Sequence, residues 1–84
     1  PRFSADGFRA VTADSASDAA RVFATRQARK RYGRAGYCRT LRLDSWTENG
    51  RDHTFEAFIG RAVRGEPGAT TGNNEWISVH RLPA

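Results

Sequence analysis

The spacing of hydrophobic and polar residues changes along the chain and predicts a strand followed by a helix. Residues 8–13 form a short β-tolerant run, whereas the apolar positions after it recur with the period of an α-helix. Ser15 can cap the first backbone donors of this helix, and Asp18 suits its positive end. Gly33 can adopt the left-handed conformation that ends a helix. The residues before the strand are expected either to pair with the sheet or to fray.

The predicted helix has one apolar side that consists mainly of alanine. The residues on this side are Ala16, Ala19, Ala20, Phe23 and Ala24, and those opposite are Asp18, Arg21, Thr25, Arg26 and Arg29. Small side chains let a helix lie close to a sheet. Phe23 is therefore predicted to be the main anchor between the helix and the sheet.

Two β-rich runs, residues 37–46 and 53–63, flank the turn sequence formed by Glu48, Asn49 and Gly50. A two-residue loop would set an aspartate opposite a phenylalanine on one face of the hairpin. A three-residue loop, with Gly50 left-handed, instead makes one face uniformly apolar. The pairs that this loop predicts are Leu43 with Phe55, Leu41 with Ala57 and Arg42 with Glu56.

The last third of the chain predicts a loop and a final strand. Residues 64–73 are rich in Gly, Pro and Thr without periodicity, which is typical of a mobile connection. Residues 75–82 alternate, with Ile77 and Val79 on one side. We therefore predict an α+β fold in which a single helix packs on one face of a small antiparallel sheet, in the order β-α-β-β-β. A chain of 84 residues is expected to form a single domain, residues 1–84.

One helix covers one face of such a sheet, so the other face is expected to meet water or a partner. The residues predicted on that face are Thr40, Arg42, Asp44, Trp46, Thr54, Glu56, Phe58, Trp76, Ser78 and His80. Trp46, Phe58 and Trp76 are large aromatic residues of the kind that anchor protein interfaces or stack on bases. Three alternatives stay open for these rings: cover by the N-terminal tail through Phe3, cover by the long loop, or pairing in a homodimer.

The chain is strongly basic, with a net charge of +5 and 13 arginines among its 14 basic residues. Five cations cluster at the end of the helix and in the turn after it, namely Arg26, Arg29, Lys30, Arg31 and Arg34. Helix-dipole complementarity accounts for part of this cluster, and a solvated helix end is the alternative interpretation. We predict a partner-binding role for these five residues and for Arg42, Trp46, Phe58 and Trp76.

The sequence has no pattern typical of an enzyme or of a metal site. Cys38, His53 and His80 lack metal-ligand spacing, and Asp44, Glu56 and Glu75 imply no catalytic cleft. We therefore expect neither catalysis nor a cofactor. A single cysteine forms no internal disulfide, and no apolar run is long enough to span a membrane. These features predict a cytoplasmic protein without a membrane partner.

The order of the predicted elements resembles that of small phage-encoded type I anti-CRISPR proteins with a strand-helix-three-strand layout. The elements that carry the resemblance are the strand ending in Val11, Thr12 and Ala13, the helix opened by Ser15, the hairpin across Asn49 and Gly50, and the closing strand from Trp76 to Val79. The resemblance implies an inhibitor in the bacterial host cell that docks on an RNA-guided, Cascade-like surveillance complex. Such an inhibitor blocks target DNA binding or nuclease recruitment.

The basic charge bears on how such an inhibitor would act. It favours contact with acidic Cas surfaces, guide-RNA phosphates or bound DNA over mimicry of DNA. A second hypothesis is a small basic nucleic-acid-binding module, in which the sheet or the cluster at the helix end holds phosphates directly. A third, an enzyme of a type without a recognised motif, also stays open.

Overall fold

The computed structural model describes residues 1–43 and 50–84, and for residues 40–43 the backbone alone. Its elements are β1 (Arg2–Ser4), β2 (Val11–Thr12), α1 (Ala16–Tyr32), a 3-10 turn (Gly33–Ala35), β3 (Tyr37–Leu43), β4 (Asp52–Ala62) and β5 (Thr70–Arg81). The strands form one antiparallel sheet in the order β2-β1-β5-β4-β3. One helix against a small antiparallel sheet confirms the predicted α+β class.

Helix α1 begins and ends where its capping residues predict. The Ser15 hydroxyl accepts a hydrogen bond from the Asp18 backbone N–H over 3.1 Å. Gly33 ends the helix with a φ of 69°, and its N–H donates to the Arg29 carbonyl. Both contacts satisfy backbone groups that lack partners inside the helix.

The core lies between the alanine side of α1 and one face of the sheet. Because alanine side chains are short, the helix backbone lies close to the strands, and Phe23 fills the space between them. Among the side chains that the structure describes, Phe23, Ile59 and Val79 are the largest that are fully buried. The other buried apolar residues of this described part are Phe3, Ala5, Val11, Ala19, Ala20, Ala24, Ala28, Phe55, Ala57 and Ile77. We call the opposite side of the sheet the open face.

The pairing of β3 with β4 confirms the predicted hairpin register. The structure pairs Leu43 with Phe55, Leu41 with Ala57 and Arg42 with Glu56. Gly50 has a φ of 69°, the left-handed conformation that the three-residue loop requires. Residues 44–49, which include the rest of the predicted turn, lie outside the described residues.

The N-terminal region differs from the prediction of one strand over residues 8–13. The structure has two short strands here, with Phe3 paired to Val11 and only Val11–Thr12 of the predicted run in a strand. Phe3 is 3% exposed and belongs to the core. Burial of this ring and of Val11 favours the added strand, since each removes apolar surface from water. The alternative in which Phe3 covers the open face is therefore wrong.

The connection predicted over residues 64–73 is shorter than expected. The β4–β5 ladder runs from Asp52 and His80 to Ala62 and Thr70, so residues 70–73 belong to β5. The Val63 N–H donates to the Ala69 carbonyl and continues the pairing. Composition alone predicts too short a strand β5, because ladder hydrogen bonds with β4 outweigh the low β-propensity of Gly and Asn.

The far end of the β4–β5 hairpin extends beyond the rest of the described sheet. The pairing of β3 with β4 ends at Tyr37 and Gly60, and β1 pairs with β5 only at His80 and Arg81. Residues 61–71 therefore form a two-stranded ribbon with its turn, which we call the arm. The molecule is accordingly elongated, measuring 47 × 23 × 19 Å.

Candidate binding site

Three exposed cations surround the C-terminal end of α1. Arg29 and Lys30 lie in the last helical turn, and Arg34 lies in the 3-10 turn. Arg29 and Arg34 border one shallow depression with Gly33. None of the three forms an ion pair with a described residue. Their charges thus face solvent beside the negative end of the helix dipole.

Arg31 points instead to the sheet and has a partner within the protein. Its guanidinium forms a bidentate ion pair with Glu75 of β5, in which Nη2 donates to Oε1 over 3.1 Å and Nη1 donates to Oε2. The hydrogen bond to this carboxylate raises the pKa of Arg31. The pair holds the end of α1 on β5, and the proposed role of Arg31 in partner binding stays a prediction.

Arg26 is exposed and also contacts the protein itself. Its Nη1 donates to the Arg9 carbonyl over 3.3 Å, which links α1 to the segment before β2. This contact uses one of the guanidinium nitrogens of Arg26. Arg26 lies about one turn before Arg29 and so extends the basic surface along the helix.

The end of α1 and the base of the arm lie at the same end of the molecule. Gly36 packs so closely on the helix that a Cβ atom there would lie 2.2 Å from the Ala28 carbonyl oxygen. The next residue, Tyr37, pairs with Gly60, where the arm leaves the sheet. The cations of the helix end and of the arm therefore share one end.

A second basic group at this end stacks on an aromatic ring. The Arg39 guanidinium lies 4.8 Å from the centroid of the Phe58 ring, and the Tyr37 ring is 6.0 Å from it on the same face. Arg39 is exposed and Phe58 is half-buried. This stack places a cation and two aromatic rings beside the base of the arm.

Sequence reasoning missed Arg39 because a β-bulge reverses its direction. An unbroken ladder that pairs Leu43 with Phe55 would pair Arg39 with Ile59, on the helix side. The structure shifts register between Arg39 and Leu41, so Arg39 pairs with Phe58 on the open face. The sequence has no glycine at this point to signal a bulge. We call Arg29, Lys30, Arg34 and Arg39 the basic end.

The open face carries one strongly exposed aromatic residue in its described part. Trp76 is 54% exposed and pairs with Glu56 in register, while Phe58 is half-buried under Arg39. Arg42 lies on the same face by backbone register. Its side chain and the whole of Trp46 lie outside the described residues.

Comparison of the chain with models of known protein families, with curated proteins and with solved structures finds no match. The geometry of the site is therefore the basis for a functional conclusion. That geometry combines cations that form no ion pair with a described residue, a cation stacked on aromatic rings and a narrow protruding ribbon.

The structure also shows the surroundings of His80 and Cys38, two side chains of the kinds that can ligate metals. His80 Nδ1 lies 2.8 Å from Asp52 Oδ1 on the open face. Cys38 is a free thiol whose Sγ lies 3.3 Å from the Thr25 hydroxyl. Over residues 1–43 and 50–84, no three His, Cys, Asp or Glu side chains group to hold a metal ion. In the same part of the chain, no helix is long and apolar enough to cross a membrane.

Proposed function

We propose that this protein binds nucleic acid through its basic end, without catalysing a reaction on it. The observation that carries this proposal is the gathering, at one end of an elongated molecule, of cations that have no carboxylate partner among the described residues. Phosphate groups are the polyanionic ligands that such a surface attracts most strongly. Arginine suits this role because its planar guanidinium can form two hydrogen bonds to one phosphate.

The carboxylates are distributed so that they leave this surface positive. Asp14 and Asp18 lie at the opposite end of α1, and Asp52 lies at the far end of β4. Glu75 is neutralised by Arg31. Of the other described carboxylates, Asp6 borders a depression with Gln27 and Glu75, Glu56 lies opposite Arg42 on the open face, and Glu66 lies in the turn of the arm. The resulting charge separation would orient the molecule toward phosphates before contact.

The stack of Arg39, Phe58 and Tyr37 adds a surface that suits bases or ribose. Aromatic rings and guanidinium planes stack on nucleobases irrespective of sequence. Phosphate contacts at the helix end and stacking beside the arm would together give affinity with little base specificity.

We expect the affinity for DNA to fall steeply with salt, because each phosphate contact releases a counterion. Four contacts from the basic end predict a slope of log K against log [KCl] near −4, or a loss of roughly 200-fold between about 50 and 200 mM KCl. Fluorescence anisotropy with a labelled duplex measures this slope. Absence of binding at the lower salt, or a slope shallower than about −1, contradicts the proposal.

A second candidate rests on the exposure of Trp76. As an alternative to nucleic-acid binding, we propose that the protein is a non-enzymatic anti-CRISPR inhibitor that docks its open face on a type I Cascade-like complex. A tryptophan with more than half of its surface exposed on a sheet is the kind of residue that anchors protein interfaces. The basic end would then contact acidic Cas surfaces, guide RNA or bound DNA.

Co-purification with type I surveillance complexes tests this candidate. We expect the wild-type protein to associate and to restore plaquing of a targeted phage, and Trp76→Ala to weaken association by about 30-fold, as for an interface hot spot. Val22→Ala is the matched control, because Val22 is the other exposed large apolar residue of the described chain, at 37%. Failure of the wild type to associate with any type I complex rejects this candidate and leaves the first intact.

A further inference from the structure

The arm is a narrow β-ribbon with small side chains. Its residues are Arg61, Ala62, Val63, Arg64, Gly65, Glu66, Pro67, Gly68, Ala69, Thr70 and Thr71. Arg61, Arg64 and Glu66 are its only long side chains. Ala62, Thr70 and Thr71 are exposed, so they do not pack on the body of the protein. A solvent-exposed ribbon of this kind gains little stability from burial and instead presents a slender surface.

The arm leaves the rest of the sheet at a pair of glycines. Gly60 pairs with Gly72, and the φ of Gly72 is 152°. A Cβ atom at Gly60 would lie 2.3 Å from the Thr71 carbonyl oxygen, and one at Gly72 would lie 2.2 Å from the Ile59 carbonyl oxygen. The two strands therefore approach here more closely than side chains allow. Glycines at such points mark a bend or a close approach in a strand.

The dimensions of the arm match those of one groove of DNA. Paired strands lie about 4.8 Å apart, so a ribbon with small side chains fits a major groove about 12 Å wide and 8.5 Å deep. From Gly60 to Gly65 the ribbon extends about 16 Å at roughly 3.3 Å per residue. This length exceeds the depth of the groove, so the tip would reach the base edges.

The charges around the arm match the phosphates that border a groove. Arg64 is exposed beside the turn, and Arg61 Nη1 donates a hydrogen bond to the Ala62 carbonyl over 3.1 Å. Tyr37 pairs with Gly60 at the base of the arm. Arg34, in the 3-10 turn before Tyr37, and Arg39, two residues after it, therefore flank this base. Cations thus follow the ribbon from its base toward its tip, where groove-lining phosphates would lie.

We propose that the arm enters the major groove of B-form duplex DNA while the basic end contacts the flanking phosphates. The inference rests on the proposed nucleic-acid-binding function and names its ligand as duplex DNA. Glu66 at the tip would then face base edges, where a carboxylate can accept a hydrogen bond from cytosine N4. Duplex RNA is a poorer ligand, since its major groove is too deep and narrow to admit a ribbon.

A shortened arm tests the inference. Residues 62–70 are replaced by Asn-Gly, which closes a two-residue hairpin between Arg61 and Thr71. The deletion removes Arg64 and Glu66 together, so the net charge stays +5. We expect affinity for duplex DNA to fall about 30-fold, the loss of one well-placed groove contact. Affinity for single-stranded DNA and for duplex RNA should stay within about twofold, because those ligands use the basic end alone.

Guanine methylation identifies the groove. Methylation at N7 should interfere with binding of the wild type and not of the shortened variant, because N7 lies in the major groove. Interference confined to adenine N3, in the minor groove, overturns the inference. A shortened variant that binds duplex DNA as tightly as the wild type also overturns it, while leaving the proposed function intact.

Absence of nucleic-acid binding by the wild type rejects the proposed function and the inference together. A second variant covers the event that the shortened chain does not fold. Arg64→Ala lies at an exposed position and should lower the salt slope for duplex DNA by about 1. An unchanged slope in this variant counts against the arm even without the deletion.

Discussion

Phe23→Ala is expected to lower the free energy of unfolding by about 3–5 kcal/mol, as truncations of a buried phenylalanine generally do. The ring is fully buried, and its centroid lies 5.8 Å from that of Phe8. Alanines surround it on the helix, and short side chains cannot move to fill the cavity that the substitution leaves. A domain of this size has a total stability on the order of 5–10 kcal/mol, so the variant should be partly unfolded near 37 °C.

Urea denaturation followed by circular dichroism measures this loss. Val22→Ala serves as the control, since it removes apolar atoms from the residue directly before Phe23 in the same helix, where the side chain is 37% exposed. We expect the control to change stability by less than about 0.5 kcal/mol. A loss below about 1 kcal/mol in Phe23→Ala would mean that Phe23 is not the anchor between helix and sheet.

Arg29→Glu combined with Arg34→Glu is expected to weaken DNA binding about 100-fold at low salt and to reduce the salt slope by about 2. Both side chains are exposed and border the same depression at the end of α1. Each substitution removes one phosphate contact and replaces it with a repulsive charge. Arg31 is left in place because its ion pair with Glu75 holds the helix on the sheet.

The matched control reverses two arginines at the other end of the molecule, Arg2→Glu with Arg81→Glu. Each pair of substitutions lowers the net charge from +5 to +1, so a difference between them reports position and not total charge. Anisotropy titrations of both variants over a range of KCl concentrations make the comparison. We expect the control to keep affinity within about fivefold of the wild type. Equal losses in the two variants would show that no localised basic end exists.

Local patterns predicted the elements that depend on near neighbours in the chain. Ser15 and Gly33 bound α1, and Phe23 is buried. The register of β3 and β4 could be chosen because one loop length alone kept charges off the apolar face. Of the predicted site, the exposed cations Arg29, Lys30 and Arg34 and the exposed Trp76 lie where their patterns place them.

Several features depend on contacts that no local pattern contains. The β-bulge that turns Arg39 to the open face contains no glycine that would signal it. Alternation alone therefore assigns Arg39 to the helix side of the sheet. The composition of residues 64–73 predicts a loop, since glycine, proline and threonine are typical of connections, whereas residues 70–73 pair with β4 in the structure. The partner of Arg31 is Glu75, a residue on the last strand, far away in the chain.

From its residues alone, this chain has a capped helix with one apolar side, a hairpin in one register and an excess of arginine. These properties follow from interactions between neighbouring residues or from simple counting, so the order of amino acids is sufficient to establish them. Which arginine pairs with a carboxylate, how far the ribbon extends and which cations share one end depend on the assembled sheet. Long-range pairing positions groups that are distant in the chain, and only the folded protein brings them to one surface.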